Sequence, residues 1–229
     1  MLGDALNYPI KDDTSLKTIL IGGLLSIFSF LLIPIFLLQG YFLRVLEGAS
    51  EGTSAAPVFD DWGELFVDGL KMFVVTLVYV FVPTVVFFGL GVVVAGGALL
   101  TGDPGVLAGA GLFGLLLFFL YFVVVLLATY LLPIGLTNLA REGDVGAAFD
   151  TTVLSSVATN ADYVVAVILA VVVGVVLGTV AAFLTVILIG FFIQFYVQIV
   201  ALYLLGRGVG EAMGSRGGGG VTPTAAAGD

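Results

Sequence analysis

The sequence predicts an all-α fold, a polytopic transmembrane helical bundle of about five spans, with six as the alternative. Three observations predict it. Hydrophobic residues make up 60% of the 229, against about 45–50% in a soluble domain, and mean hydropathy is +1.23. Several apolar stretches exceed the ~20 residues that cross the hydrocarbon of a bilayer. The charged residues lie almost wholly outside those stretches. A water-soluble chain of this size could not hide such an excess, because small domains keep much of their surface exposed.

The first stretch, Leu16 to Leu46, is longer than one span and holds Arg44 near its end. Pro34 and Gly40 are candidate kinks. Polar EGASEGTSAAP follows, then DDWGELFVDGLK. There Asp61 and Glu64 fit a capping box. Trp62, Leu65, Phe66, Leu70 and Phe73 share one helical face, opposite Glu64, Asp68 and Lys71. This predicts an amphipathic interfacial helix near 60–71. The second stretch, Met72 to Leu100, ends at the turn Thr101-Gly102-Asp103-Pro104-Gly105. The third runs from Val106 to Leu139, with Arg141 just beyond. A second, weaker amphipathic helix is expected near 146–160, where Phe149, Val153 and Val157 recur every four residues. The fourth stretch, Tyr163 to Leu205, would be ~65 Å long as one helix. It reads as two spans with a reversal near Ala181–Thr185.

Residues 1–213 thus form a single transmembrane domain, and the Gly/Ala-rich tail 214–229 is expected to be disordered. Leu32-Ile33-Pro34-Ile35 echoes Leu131-Leu132-Pro133-Ile134, each ahead of an arginine, a polar connector and a new span. This is either a weak duplication or chance in so apolar a chain. With five spans, Arg44, Lys71, Arg141, Arg207 and Arg216 share one face and Lys11 and Lys17 the other. The positive-inside rule then places the amphipathic helices and the C-terminus in the cytoplasm, and the protein in the cell membrane.

Composition removes whole classes of chemistry. There is no cysteine or histidine, hence no disulfide, no zinc site built on those ligands and no Ser-His or Cys-His pair. The formal charge is −9, which repels phosphate backbones and argues against nucleic acid as a partner. Such acidity with few lysines fits a high-salt cytoplasm. No cofactor is implied, and the chain is not expected to be an enzyme.

Asp60, Asp61, Glu64 and Asp68 form a carboxylate cluster. A Mg²⁺ or Ca²⁺ site is the sharp reading; a helix cap with a solvated acidic face is preferred, Lys71 pairing with Asp68 at i,i+3. Asp60, Asp61, Trp62, Glu64, Leu65, Phe66 and Asp68 together make a candidate interfacial or partner surface. Gln39, Asn138, Gln194 and Gln198 are the candidate intramembrane polar contacts, either interhelical glue or the lining of a polar path. Gly109-Ala-Gly-Leu-Phe-Gly114 matches a dinucleotide fingerprint but sits inside a span, so helix packing is the better reading. Gly105/Gly109, Gly174/Gly178 and Gly206/Gly210 suggest helix–helix contacts.

The segments ALNYPIKDD, IGGLLS, GYFLRVLEG, PVFDDWGELFVDGLK and LLGRGVGEA resemble an uncharacterised family of multi-pass membrane proteins from archaea and bacteria. That family is a domain of unknown function numbered four thousand thirteen. The likeness covers roughly residues 1–214 and is most specific from Gly40-Tyr41 to Arg44, at Asp60-Asp61-Trp62 and at Asp68-Gly69. It implies a helical membrane architecture in an archaeal cell membrane and no catalytic residues.

Two functions lead, ahead of an intramembrane enzyme that would use Asp60 and Asp61 with a divalent ion. The first is a membrane scaffold or interaction protein, its partners the lipid bilayer and a membrane protein or a second copy. The second is a small channel or facilitator for a neutral solute. No Asp, Glu, Lys or Arg lies mid-span, which argues against a proton-coupled pump or a voltage sensor.

Overall fold

The computed structural model describes residues 1–217, with side chains to residue 214; the tail from 218 lies outside the described residues. Among these, the chain is helical throughout, with no strand. Helices α1 (Leu2–Asn7), α2 (Ser15–Ile27), α3 (Leu32–Glu51), α4 (Trp62–Thr101), α5 (Pro104–Glu142), α6 (Thr151–Ala158), α7 (Ala161–Leu184) and α8 (Ile189–Gly217) follow one another. Five of them, α3, α4, α5, α7 and α8, are long and apolar enough to cross a membrane.

The helices pair as three hairpins, α2–α3, α4–α5 and α7–α8. Their connectors and both described chain ends gather at one end of the bundle. The Ala56 backbone N–H donates to the Tyr8 carbonyl at 3.3 Å, and the Tyr8 and Tyr203 rings lie 4.4 Å apart. Gly210 lies against the Ser50 backbone and Gly208 against Tyr163. The N-terminal segment therefore shares an end with Arg44 and Arg207. The sequence reading set Lys11 and Lys17 on the opposite face; the structure places them at this end, as the six-span alternative has it.

The correction follows from where the first apolar stretch breaks. It is not one kinked span. The helix stops at Ile27 and restarts at Leu32. Pro34 sits in the first turn of α3, where its missing N–H costs nothing. Gly40 makes no kink; it is a contact point inside α3. At 1.5 Å per residue, α2 reaches about 20 Å, short of a hydrocarbon layer of about 30 Å, whereas the 20 residues of α3 match it. The tip residues Phe30, Leu32 and Ile33 are exposed.

The α4–α5 hairpin reaches further. The α4–α5 turn forms as its residues dictate: Gly102 takes φ 64°, Asp103 accepts from the Gly105 and Val106 N–H groups, and Pro104 opens α5. The α7–α8 reversal falls at Thr185–Leu188, close to its expected place. It is built without glycine, with Leu188 at φ 62°.

Helix α3 lies between α4 and α8 and touches both through glycine. A Cβ on Gly40 would overlap the Leu65 carbonyl oxygen, and one on Gly69 would overlap that of Phe36. These reciprocal contacts let the two backbones nearly touch. On the other side, a Cβ on Gly206 would meet the Leu46 carbonyl oxygen at 2.7 Å. The Gly206/Gly210 pair thus packs helices as its spacing predicts, within this chain. Gly105/Gly109 and Gly174/Gly178 do not: apart from the Asp103 carboxylate beside Gly105, nothing lies within 4 Å of their Cβ positions.

Two outcomes are expected. The chain has no cysteine, so single cysteines report topology cleanly. An impermeant maleimide applied to oriented vesicles is expected to label Asp13→Cys and Glu142→Cys from one side and Asp103→Cys from the other. Labelling of Asp13→Cys together with Asp103→Cys would refute the hairpin arrangement. Gly40→Leu is expected to destabilise by about 1–3 kcal/mol or more through overpacking, read as a lowered melting temperature in detergent, whereas Gly89→Leu leaves that temperature unchanged.

Candidate functional site

Among the described residues, every charged residue except Asp103 lies on the N-terminal segment, on a connector or within about three turns of one. Charge is costly in hydrocarbon, so polar groups collect where the helices leave it. At this end Arg44 of α3 reaches across to the start of α4. Its guanidinium donates to Asp60 Oδ1 at 2.7 Å and to Glu64 Oε2 at 2.8 Å, and also to the Asp60 carbonyl at 3.3 Å. The arginine side chain is only 16% exposed, its two carboxylates 61% and 66%.

Glu64 is thus held by Arg44, and the capping box expected with Asp61 does not form. Asp61 sits before α4 at φ 43° with no side-chain cap. The segment 60–71 is not a separate interfacial helix; from Trp62 it forms the first turns of α4. Leu65 is fully buried under α3 and is no partner surface. Phe66 packs edge-on against Phe36 at 5.5 Å. Trp62 remains 46% exposed and stacks on Phe59 at 5.8 Å, which in turn stacks on Tyr41 at 4.2 Å. Asp68 pairs with Lys71 at 3.1 Å, as its spacing predicts. Both face a small cleft shared with Arg44, Glu47 and Gly143 rather than open solvent. Among the described residues no group of three carboxylates stands ready to hold a metal ion.

The second connector is anchored from above. Tyr79 of α4 donates to the Ala148 carbonyl at 2.8 Å and stacks on Phe149. Asn138 donates to the Ala147 carbonyl at 2.9 Å. The expected helix near 146–160 is a 3-10 turn, Val145–Phe149, followed by α6. Asp150 caps α6 by accepting from Thr152 and Val153 N–H groups, and these bonds hold its carboxyl below the ordinary carboxylate range.

The four amides do not converge. Asn138 is glue for the connector. Gln39 has a buried side-chain oxygen with no partner. Gln194 is exposed near the α7–α8 tip, Gln198 is half-buried, and neither lines the cavities described here. Sequence reasoning missed the partners of Arg44 and the anchoring tyrosines Tyr79, Tyr130 and Tyr163. Only the isolated position of a tyrosine in an apolar run hinted at them. Tyr163 donates to the Tyr130 carbonyl and Tyr130 to that of Ala158, each at 2.6 Å.

Five helices long and apolar enough to cross a membrane place the chain, by length and composition, in the class of multi-pass membrane proteins. A family model described as "Protein of unknown function (DUF4013)" matches residues 24–186. That is more than half of the chain, and the chain belongs to this family. The match is narrower than the resemblance read over residues 1–214 and leaves out α1, most of α2 and α8. No curated protein and no solved structure matches the chain.

Trp62 is the only tryptophan and adjoins the Arg44 cluster. Arg44→Ala is expected to red-shift its emission and to lower stability by about 1 kcal/mol, the usual worth of partly exposed ion pairs. An unchanged spectrum and melting temperature would show that the ion pairs do not hold the start of α4.

Proposed function

We propose that this protein is a non-enzymatic membrane scaffold that binds another transmembrane helix along its α4–α5 hairpin. One observation carries the reading. From Val80 to Leu127 only Ala98 and Leu117 are buried. Gly89, Gly91, Gly96, Gly97, Gly109, Gly111 and Gly114 have no neighbour within 4 Å of a Cβ position. In the rest of the bundle Gly22, Gly23, Gly40, Gly69, Gly206 and Gly210 each meet another helix or its side chains. Between α4 and α5 runs an apolar groove of about 480 Å³, lined by Phe87, Gly91, Ala95, Gly114 and Phe118 among others. In lipid, small residues let a second helix approach closely, and such packing replaces the hydrophobic effect as the driving force. The partner is a membrane protein or a second copy of this chain.

The facilitator reading gains less support, because Gln39, Gln194 and Gln198 share no cavity described here. The connector end carries Lys11, Lys17, Arg44, Lys71, Arg141 and Arg207, which supports a cytoplasmic placement for it in the cell membrane. The acidic balance supports an origin in a high-salt cytoplasm.

Gentle-detergent purification from native membranes tests the reading, with Gly91→Leu/Gly114→Leu as the probe. The doubly substituted chain is expected to insert and melt as the wild type does, while losing a stoichiometric co-purifying partner or its own oligomer. Capture unchanged by both substitutions would remove the hairpin from the interaction.

A further inference from the structure

A second groove, of about 410 Å³, opens at the connector end between α5, α6 and α8, lined by Asn138, Arg141, Glu142, Val153, Ser156 and Met213. Its size lies in the range of small-ligand sites, about 300–1,000 Å³. Arg141 sets its chemistry. Arg44, Lys71 and Arg207 each have a carboxylate within 3.1 Å. Arg141 has none within ion-pair distance among the described residues. Its guanidinium makes one recorded contact, to the Met213 sulfur at 2.9 Å. In a chain with 16 acidic residues against 7 basic ones, an arginine left without a carboxylate inside a groove stands apart. Lys11 and Lys17 also lack one; all three are exposed, but of the three only Arg141 lines a groove.

The position matches the chemistry. Arg141 lies just past Leu139 and Ala140, where α5 leaves its apolar run, at the level at which long basic side chains reach headgroups. Val153 and Met213 give the groove apolar walls; Ser156 and Asn138 line it with donors that already bond to the Val153 and Ala147 carbonyls, which leaves Arg141 as its donor. A planar guanidinium without a carboxylate matches the paired oxygens of a phosphate group. We propose that this groove binds the phosphate of a membrane-lipid headgroup or a free phosphate, with Arg141 as its principal donor. Glu142 also lines the groove and opposes the anion, so its charge sets the affinity.

Native mass spectrometry of the detergent-purified full chain tests this, titrated with phosphatidylglycerol, with diacylglycerol and with inorganic phosphate. The wild type is expected to retain phosphatidylglycerol over diacylglycerol. Arg141→Gln is expected to bind it about tenfold more weakly, the effect of losing a charge-assisted hydrogen bond. Glu142→Gln is expected to bind it more tightly, a gain that misfolding cannot mimic. Displacement of the lipid by millimolar inorganic phosphate identifies a site open to free phosphate, and failure of displacement identifies a lipid site; both support phosphate recognition. Equal retention of phosphatidylglycerol by the wild type and Arg141→Gln overturns the proposal. So does equal retention of phosphatidylglycerol and diacylglycerol, or weaker binding in Glu142→Gln.

Discussion

The close approach of α3 to its two neighbours is the contact on which the rest of the structure depends. In hydrocarbon, helices gain nothing from hiding apolar surface and must associate by packing. Gly40 and Gly69 bring the α3 and α4 backbones together from both sides, and Gly206 and Gly210 do the same between α3 and α8. One helix thus joins all three hairpins. The aromatic cluster of Tyr41, Phe59 and Phe195 fills the space these contacts leave.

That arrangement also decides where charge goes. With the helices paired as hairpins, one end of the bundle receives the N-terminal segment, both long connectors and the end of α8. Nearly all charged side chains follow, and the ion pairs of Arg44, Lys71 and Arg207 tie neighbouring turns at this end. The far end receives two apolar tips and a single aspartate, which caps α5 with its side chain. Polar groups at that end serve backbone donors and carbonyls; Thr185, for example, bonds to Ala181.

Much of this was legible in the sequence because membrane helices declare themselves by length and hydropathy. Helices α4 and α5, the Thr101–Gly105 turn, the Asp68–Lys71 pair and the Gly206/Gly210 contact all follow local rules. Local rules failed where tertiary contacts outvoted them. Glu64 fits a capping box, but the guanidinium of Arg44 offers a stronger partner than a backbone N–H. Pro34 looks like a kink yet marks a helix start, since nothing local tells the two apart when the break itself is Phe-Ser-Phe-Leu. Leu188 turns the chain at a positive φ where glycine would be the expected signal. Of the candidate site, the sequence supplied the carboxylates but not the arginine that organises them. It grouped Gln194 and Gln198 by periodicity, which says nothing of whether a cavity exists beside them.

The unequal reach of the hairpins has a consequence for the length of the molecule. Gly69 of α4 lies against Phe36, four residues from the start of α3, and α4 then continues 32 residues to Thr101, about 48 Å. Beyond that level α4 and α5 run with most of their side chains exposed, so this one hairpin, and not the whole bundle, sets the full length of the molecule.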